Sequence, residues 1–460
     1  MLKENKMGVM PIGKLLFTMA LPLALSMLVQ ALYNIIDSVF VSQISDTNND
    51  ALTAVGLAFP VQNIMIGIAS GISVGVNALM SRSLGEKDLK QVNTVAMNGL
   101  FLTMLGMILT ALFGIFCAES FMRSQSSNEA VVEYGVTYIR IITIASFGIF
   151  GEVLLERLLQ ATGRTTYTLY TQGVGAVINI ILDPIFIFGW GPIPRMEVAG
   201  AAVATVIGQI IAFLMAIYFN LRRNKEVSFV FRGFHPSGKA IGRILGIGIP
   251  SVIMVAIGSL MYYCFNLVLG GMGTEGEVGM TVFGAYYKLQ SFIFMPIFGM
   301  SNAVLAITAY NYGARKPQRI MKTIKLGAVT ASAIMLVGVV LFELFPEFLL
   351  GFFNPDDDML RVGVPAMRIL CLPFIMAGAC IIFGNVFQAL GKSVYSMITS
   401  IARQLVVLIP AAYLLSLSGK VDLVWLSYPI AEVFSLVLSI WMMISVYRKK
   451  IKPLYNSSCN

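Results

Sequence analysis

The sequence predicts an all-α polytopic membrane protein, with 12 transmembrane helices in two parallel-repeat six-helix lobes around a central cleft. Three observations carry this. Charge is scarce, 12% of 460 residues against 57% apolar, and mean hydropathy is +0.81; a soluble chain of this size would lack the polar surface to cover itself. Apolar runs of helix length recur twelve times, and about 20 such residues cross a bilayer as a helix. The two halves of the chain also match each other at one fixed offset. The composition excludes a water-soluble enzyme, a nucleic-acid binder and a disordered scaffold.

The runs fall at about 15–41, 51–80, 93–119, 134–160, 165–188, 198–221, 244–270, 280–309, 323–350, 364–390, 394–418 and 421–447. The first follows a polar, basic stretch, Met1–Gly13, and is too long for the apolar segment of a cleavable leader. Loops between runs alternate in cation content. One side collects 23 Lys and Arg, in clusters such as Lys3, Lys6 and Lys14, or Arg448, Lys449, Lys450 and Lys452. The other collects four (Arg123, Arg195, Arg361 and Lys420) and carries acidic loops with Asp46 and Asp50, or Asp356, Asp357 and Asp358. The positive-inside rule then puts both termini in the cytoplasm of a cell with this protein in its plasma membrane, in keeping with an even span count. The net charge of +9 reports topology.

At an offset of 228 residues Pro22 pairs with Pro250, Gln62 with Gln290, Gly71 with Gly299 and Gly99 with Gly327, and QATGRTTY (160–167) lines up with QALGKSVY (388–395). Each half holds an even number of spans, so both insert with the same orientation, as parallel repeats do in two-lobed alternating-access transporters. The expected division is an N-terminal lobe, 1–221, a cytoplasmic interlobe linker, 222–243, a C-terminal lobe, 244–447, and a cytoplasmic tail, 448–460.

Charge inside a membrane costs roughly 2.5–3.5 kcal/mol per residue on insertion scales, so each case needs a reason. Six acids and five cations fall within spans. For Glu343, Glu432, Arg368 and Arg403 the expected reason is structural ion pairing or snorkelling; Lys288, at the Pro60 position of the other half, stays open. Asp37 follows Tyr33 and Asn34 by one helical turn, so the three share a face of the first span. Asp183 follows Asn179 by one turn on the fifth span, and Pro184, next in line, frees a backbone carbonyl. A carboxylate, an amide oxygen and a loosened carbonyl could hold Na⁺, or the desolvated carboxylate could carry H⁺; the spacing leaves both open. Glu152 and Glu156 lie one turn apart on the fourth span, and Tyr138, 18 residues or five turns before Glu156, shares that face. Pairing of Glu156 with Arg157 or Arg140 is the structural alternative. At the offset Asp37, Glu156 and Asp183 map to Phe265, Gly384 and Ala411. Ion coupling and cation recognition are therefore expected in the N-terminal lobe.

At these residues the chain resembles the multidrug and toxic compound extrusion (MATE) family. The resemblance rests on ALPLALSMLVQALYNIIDSVFVS, ALTAVGLAFP, SGISVGVNALMSRSLGEKD, LLQATGRT and INIILDPIFIFG, and extends over residues 10–447. It implies a two-lobed exporter of lipophilic organic cations driven by exchange for H⁺ or Na⁺. Asp37 resembles the first-helix aspartate of the DinF-like branch, and Asn179 and Asp183 that branch's ion site, with Na⁺ possible at Asp37, Asn179 and Asp183. Glu156 and Asp183 resemble the acidic pair of the MepA-like branch; Tyr33, Asn34 and Tyr138 complete the expected substrate site. The NorM branch keeps its acids in the C-terminal lobe, where this chain lacks them. Thr205 is a candidate for the family's sixth-helix hydroxyl.

Other motifs lead nowhere. GFHPSGKA (233–240) lacks the final Ser/Thr of a phosphate-binding loop and follows no strand. The five Cys are scattered without a CxxC, and the sole histidine, His235, lies in a basic loop, so neither a disulfide framework nor a His-based metal site is indicated. No cofactor beyond the coupling ion and no enzymatic activity is expected; the partners are small organic cations and the bilayer, with no nucleic acid, and the chain is expected to be monomeric. The rival reading is a flippase or exporter of lipid-linked or anionic substrates on the same fold.

Overall fold

The computed structural model describes residues 5–44, 50–353 and 355–457. Lys3, Asp46 and Cys459 lie outside them. Among the described residues there is no strand, only an isolated bridge between Trp190 and Ile193. Ten helices are long and apolar enough to cross a membrane, and two bent helix pairs bring the count to twelve. We number them α1 (Ile12–Ser42), α2 (Asp50–Gly85), α3 (Leu89–Phe116), α4 (Glu129–Ile144 with Phe147–Ala161), α5 (Thr166–Phe188), α6 (Glu197–Arg223), α7 (Gly238–Gly270), α8 (Thr274–Gly313), α9 (Pro317–Leu344), α10 (Asp357–Cys371 with Phe374–Ala389), α11 (Ser393–Ser416) and α12 (Val421–Asn456). All twelve coincide with the apolar runs.

Two features depart from straight spans. α4 bends by 45° at Ala145–Ser146 and α10 by 47° at Leu372–Pro373; the offset of 228 pairs Ala145 with Pro373, so the two breaks overlap to within one residue. In α10 the proline explains the break. In α4 no proline is present; instead Gly148 and Gly151 let the second segment press onto α6 at Ile210 and Phe213, while the Ser146 and Thr110 hydroxyls lie 3.2 Å apart. The second departure is in α11, where Ala402–Leu408 is wound as a π-helix, a geometry that takes up one extra residue in a turn.

The chain forms two compact units. Unit 1 is Leu25–Val252: the second part of α1, α2 to α6, and the start of α7. Unit 2 joins the first part of α1, through Ala24, to Ile253 onward. Both cuts fall inside helices, just past the repeat-related Pro22 and Pro250. Within unit 1, Gly71 and Gly75 of α2 bring its backbone against α7 at Gly248 and Ile244; within unit 2, Gly299 of α8 does the same against Leu23 and Ala24 of α1. Such close approach is how helices pack in lipid, where burial of apolar surface drives nothing.

The segment between α6 and α7 is tied to unit 1. Arg164 reaches Glu226 at 2.7 Å and Asn224 at 3.2 Å. The Ser228 and Ser237 amides donate to Asn93 and Asn98 at 2.9 and 2.8 Å. Unit 2 has an aromatic core of Phe265, Phe283, Tyr286, Phe342, Phe374 and Trp425, each less than 2% exposed.

Candidate functional site

The acids named from the sequence converge inside unit 1. α5 and α6 lie unusually close because Gly175 and Gly208 face each other: a Cβ on Gly208 would meet the Gly175 carbonyl oxygen at 2.7 Å. That proximity places Asn179 opposite Thr205. The Asn179 amide donates to Asp183 Oδ1 at 3.2 Å and to Thr205 Oγ1 at 3.3 Å. Asp183 is fully buried. It lies within electrostatic reach of Asp37, and Tyr33 and Tyr138 lie within reach of both aspartates.

Three acceptor oxygens here, Asp37 Oδ1, Asn179 Oδ1 and Asp183 Oδ2, are buried and have no hydrogen-bond partner among the described residues. An unpaired buried acceptor costs about 1–3 kcal/mol, more if charged. A proton or a small cation would supply what they lack. Sodium coordination suits such a set: hard oxygens, two of them carboxylate.

The second acid group sits further along α4 and α5. The Thr171 hydroxyl and the Gln172 amide, the latter at 3.0 Å, donate to the two carboxylate oxygens of Glu156. Among the described residues neither arginine comes within ion-pair distance of it: Arg157, within electrostatic reach, binds Gln160 at 2.9 Å, and Arg140 faces Glu119 at 3.8 Å. A cavity of about 60 Å³ between α1, α4, α5 and α6 is lined by Gln30, Tyr33, Glu152, Gln172, Asn179 and Thr205 among others. A water needs only about 10–15 Å³ of such space, whereas drug pockets run to roughly 300–1,000 Å³. In this conformation the cavity has room for an ion or a few waters, and an organic substrate would need it to widen.

The structure brings together Asp37, Tyr33, Asn179, Asp183 and the candidate hydroxyl Thr205. Asn34 is exposed, at the edge of the face that carries Asp37. Tyr138 is 2% exposed, packed in the core with Val41, Ala54, Ala58 and Ala202. Its expected alignment with Glu156 does not hold, because the bend in α4 separates the two segments and the straight-helix register stops at Ala145. Glu152 and the glutamines 30, 172 and 209 line the cavity without having been on the expected site. Glu152 was visible as an intramembrane acid; the glutamines carry no sequence signal above that of any polar residue in a span. The other intramembrane charges are paired as expected: Arg403 with Glu432 at 3.0 Å and Arg368 with Glu343 at 3.9 Å. Lys288 lies over the Phe353 ring, 5.9 Å from its centre.

Twelve apolar spans in two repeats, with intramembrane acids in and beside a small cavity lined by Glu152, define a polytopic membrane transporter. The sequence profile of the MatE family matches residues 22–185 and again 250–414, and its two starting points are separated by the offset of the internal repeat. The chain belongs to the MATE family. It is 25% identical over 436 residues to the multidrug export protein MepA of Staphylococcus haemolyticus, covering 95% of this chain and 94% of that one. It is 24% identical to an FAD transporter of Shewanella oneidensis, covering 92% of each. Among solved structures it resembles an outward-facing multidrug resistance MATE family transporter of the MOP superfamily, with 26% identity, a TM-score of 0.90 and coverage of 97% of this chain and 99% of that one.

Proposed function

We propose that the protein is a plasma-membrane antiporter, with both termini in the cytoplasm, that exports lipophilic organic cations in exchange for H⁺ or Na⁺ by alternating access. The observation that carries this reading is the trio of buried, partnerless oxygens on Asp37, Asn179 and Asp183. Facing the cytoplasm, ionised Asp183 and Glu156 attract a cationic substrate, and aromatic faces such as Tyr33 stack on it. Facing outward, H⁺ or Na⁺ enters at Asp37, Asn179 and Asp183, neutralises the carboxylates and releases the substrate. Because one set of acids serves ion and substrate, the two exclude each other, and that exclusion couples the fluxes. No step in this cycle needs a catalytic residue.

The test is ethidium efflux from energised cells expressing wild type or Asp183→Asn, with and without a protonophore or Na⁺. Wild-type efflux should be abolished in the variant, and its dependence on ΔpH or Na⁺ names the coupling ion. Uphill efflux by Asp183→Asn at the wild-type rate would end the coupling role.

A second reading is favoured by one observation, the similarity to an FAD transporter: export of an anionic substrate. Against it, the arginines of unit 1 nearest the acids are already engaged, Arg157 with Gln160 and Arg140 with Glu119. FAD efflux from loaded vesicles, unchanged by excess ethidium, would favour this alternative.

A further inference from the structure

The repeat makes the interior of unit 2 directly comparable with the cavity of unit 1. At the offset of 228, cavity-lining Gln30, Glu152, Gln172 and Gly175 correspond to Gly258, Cys380, Ser400 and Arg403. Two of these positions meet in unit 2 at Gln404, the residue after Arg403: Gln404 donates to Ser400 Oγ at 2.7 Å, and a Cβ on Gly258 would lie 3.8 Å from Gln404 Oε1. Gly175, at the edge of the unit 1 cavity, is packed onto the α6 backbone at Gly208; at the repeat-related position unit 2 carries a guanidinium. Arg403 Nη1 is bonded to Glu432 Oε2 at 3.0 Å, with the Glu432 side chain only 7% exposed. The other carboxylate oxygen, Glu432 Oε1, is buried and has no partner among the described residues. Cys380, at the Glu152 position, lies within electrostatic reach of both members of the pair, and Tyr287 and Tyr428 within reach of Arg403. The π-helical turn of α11 begins at Ala402 and contains Arg403; π-turns of this kind recur at functional sites.

We propose that Arg403 is a tethered cation: its guanidinium, with Glu432 as counter-ion, occupies a charged niche inside unit 2, and its removal uncovers a latent binding site for a small guanidinium-type cation. The chain then has one exchangeable cation site and one that is permanently loaded by its own side chain. A void of guanidinium size, a buried carboxylate with a free oxygen and aromatic rings nearby are what such a ligand needs.

The test uses the purified full-length chain and guanidinium ion at low-millimolar, non-denaturing concentration, followed by thermal unfolding and by equilibrium binding of labelled guanidinium. Neither readout involves transport, so failure here is distinct from failure of the antiporter reading. Arg403→Ala should melt below wild type. Guanidinium should raise its melting temperature by roughly 2 °C or more, with one bound ion per chain absent from wild type. The effect should vanish in Arg403→Ala/Glu432→Gln. Arg403→Gln, which keeps most of the side-chain volume, serves if the alanine variant does not fold. Absence of a Glu432-dependent response in both single variants, or of rescue where neither folds, overturns the proposal. So does an equal response in the double variant, which would mark the pair as structural alone.

Discussion

At the residue scale, Asp183 is the centre of unit 1, and what surrounds it is a chain of single hydrogen bonds. The Thr205 hydroxyl accepts from the Asn179 amide, and the same amide donates to Asp183. A hydrogen bond to a charged group contributes about 1.5–3 kcal/mol, a neutral one about 1. We therefore expect Asn179→Ala to slow coupled efflux by roughly ten-fold or more at unchanged protein level. Thr205→Ala should slow it by only about five-fold, and Thr205→Ser should restore it. If Thr205→Ala is as severe as Asn179→Ala and Ser does not rescue, the hydroxyl acts through packing. Glu156 is positioned differently, by Thr171 and Gln172 from the next helix. Glu156→Gln should therefore fold and reach the membrane, yet lose ethidium efflux. Retention of efflux would remove Glu156 from substrate recognition.

At the element scale, the site depends on two helices touching through backbone. The Gly208 Cβ position lies 2.7 Å from the Gly175 oxygen and 3.4 Å from the Asn179 Cβ. A side chain at 208 must push α5 away and carry Asn179 with it, since backbone has no rotamer to yield. Overpacking of this kind costs about 1–3 kcal/mol. Gly208→Leu should lower the melting temperature and abolish coupled efflux together. Gly173, on the facing helix α5 but with nothing within 4 Å of its Cβ position, is the control, and Gly173→Leu should leave both unchanged. Leucine is the better helix former, so equal damage at the two positions would mean that added bulk as such, rather than the α5–α6 contact, is at stake. The same physics accounts for the bend in α4: glycines at 148 and 151 bring its second half onto α6, so the helix cannot continue straight.

At the scale of the whole molecule, duplication sets the plan and divergence sets the task. Both repeats keep the broken fourth helix, the glycine crossings and the proline early in the first helix, while only the first keeps the acids at Asp37, Glu156 and Asp183. The orientation of this plan in the membrane is open to a direct check on Cys117, which is exposed at the end of α3. With cytoplasmic termini, a membrane-impermeant maleimide should label Cys117 in intact cells, and Cys117→Ser should remove the signal. A cysteine introduced as Ser228→Cys in the Cys117→Ser background should label only after permeabilisation. The reverse pattern would invert the topology.

Much of this protein was decided along the chain, because the properties concerned are local or periodic. Span number follows from hydropathy, since a bilayer filters segments one at a time by length and charge. The repeat, and the placing of acids in its first half, follow from residue identity at a fixed offset. The membership of Asn179 and Asp183 in one site follows from helical spacing. Tertiary structure decided what depends on elements far apart in sequence: that Asp37 comes within reach of Asp183, that Thr205 meets Asn179, and that Thr171 and Gln172 rather than an arginine hold Glu156. It also corrected the register of Tyr138, because a bend made by contact with another helix leaves no mark in a sequence that stays apolar through it. Above all it decided the fate of Arg403. In the sequence that residue is one more costly charge in a span; only packing, which brings α12 against the π-turn of α11, turns it into one half of a buried ion pair with Glu432.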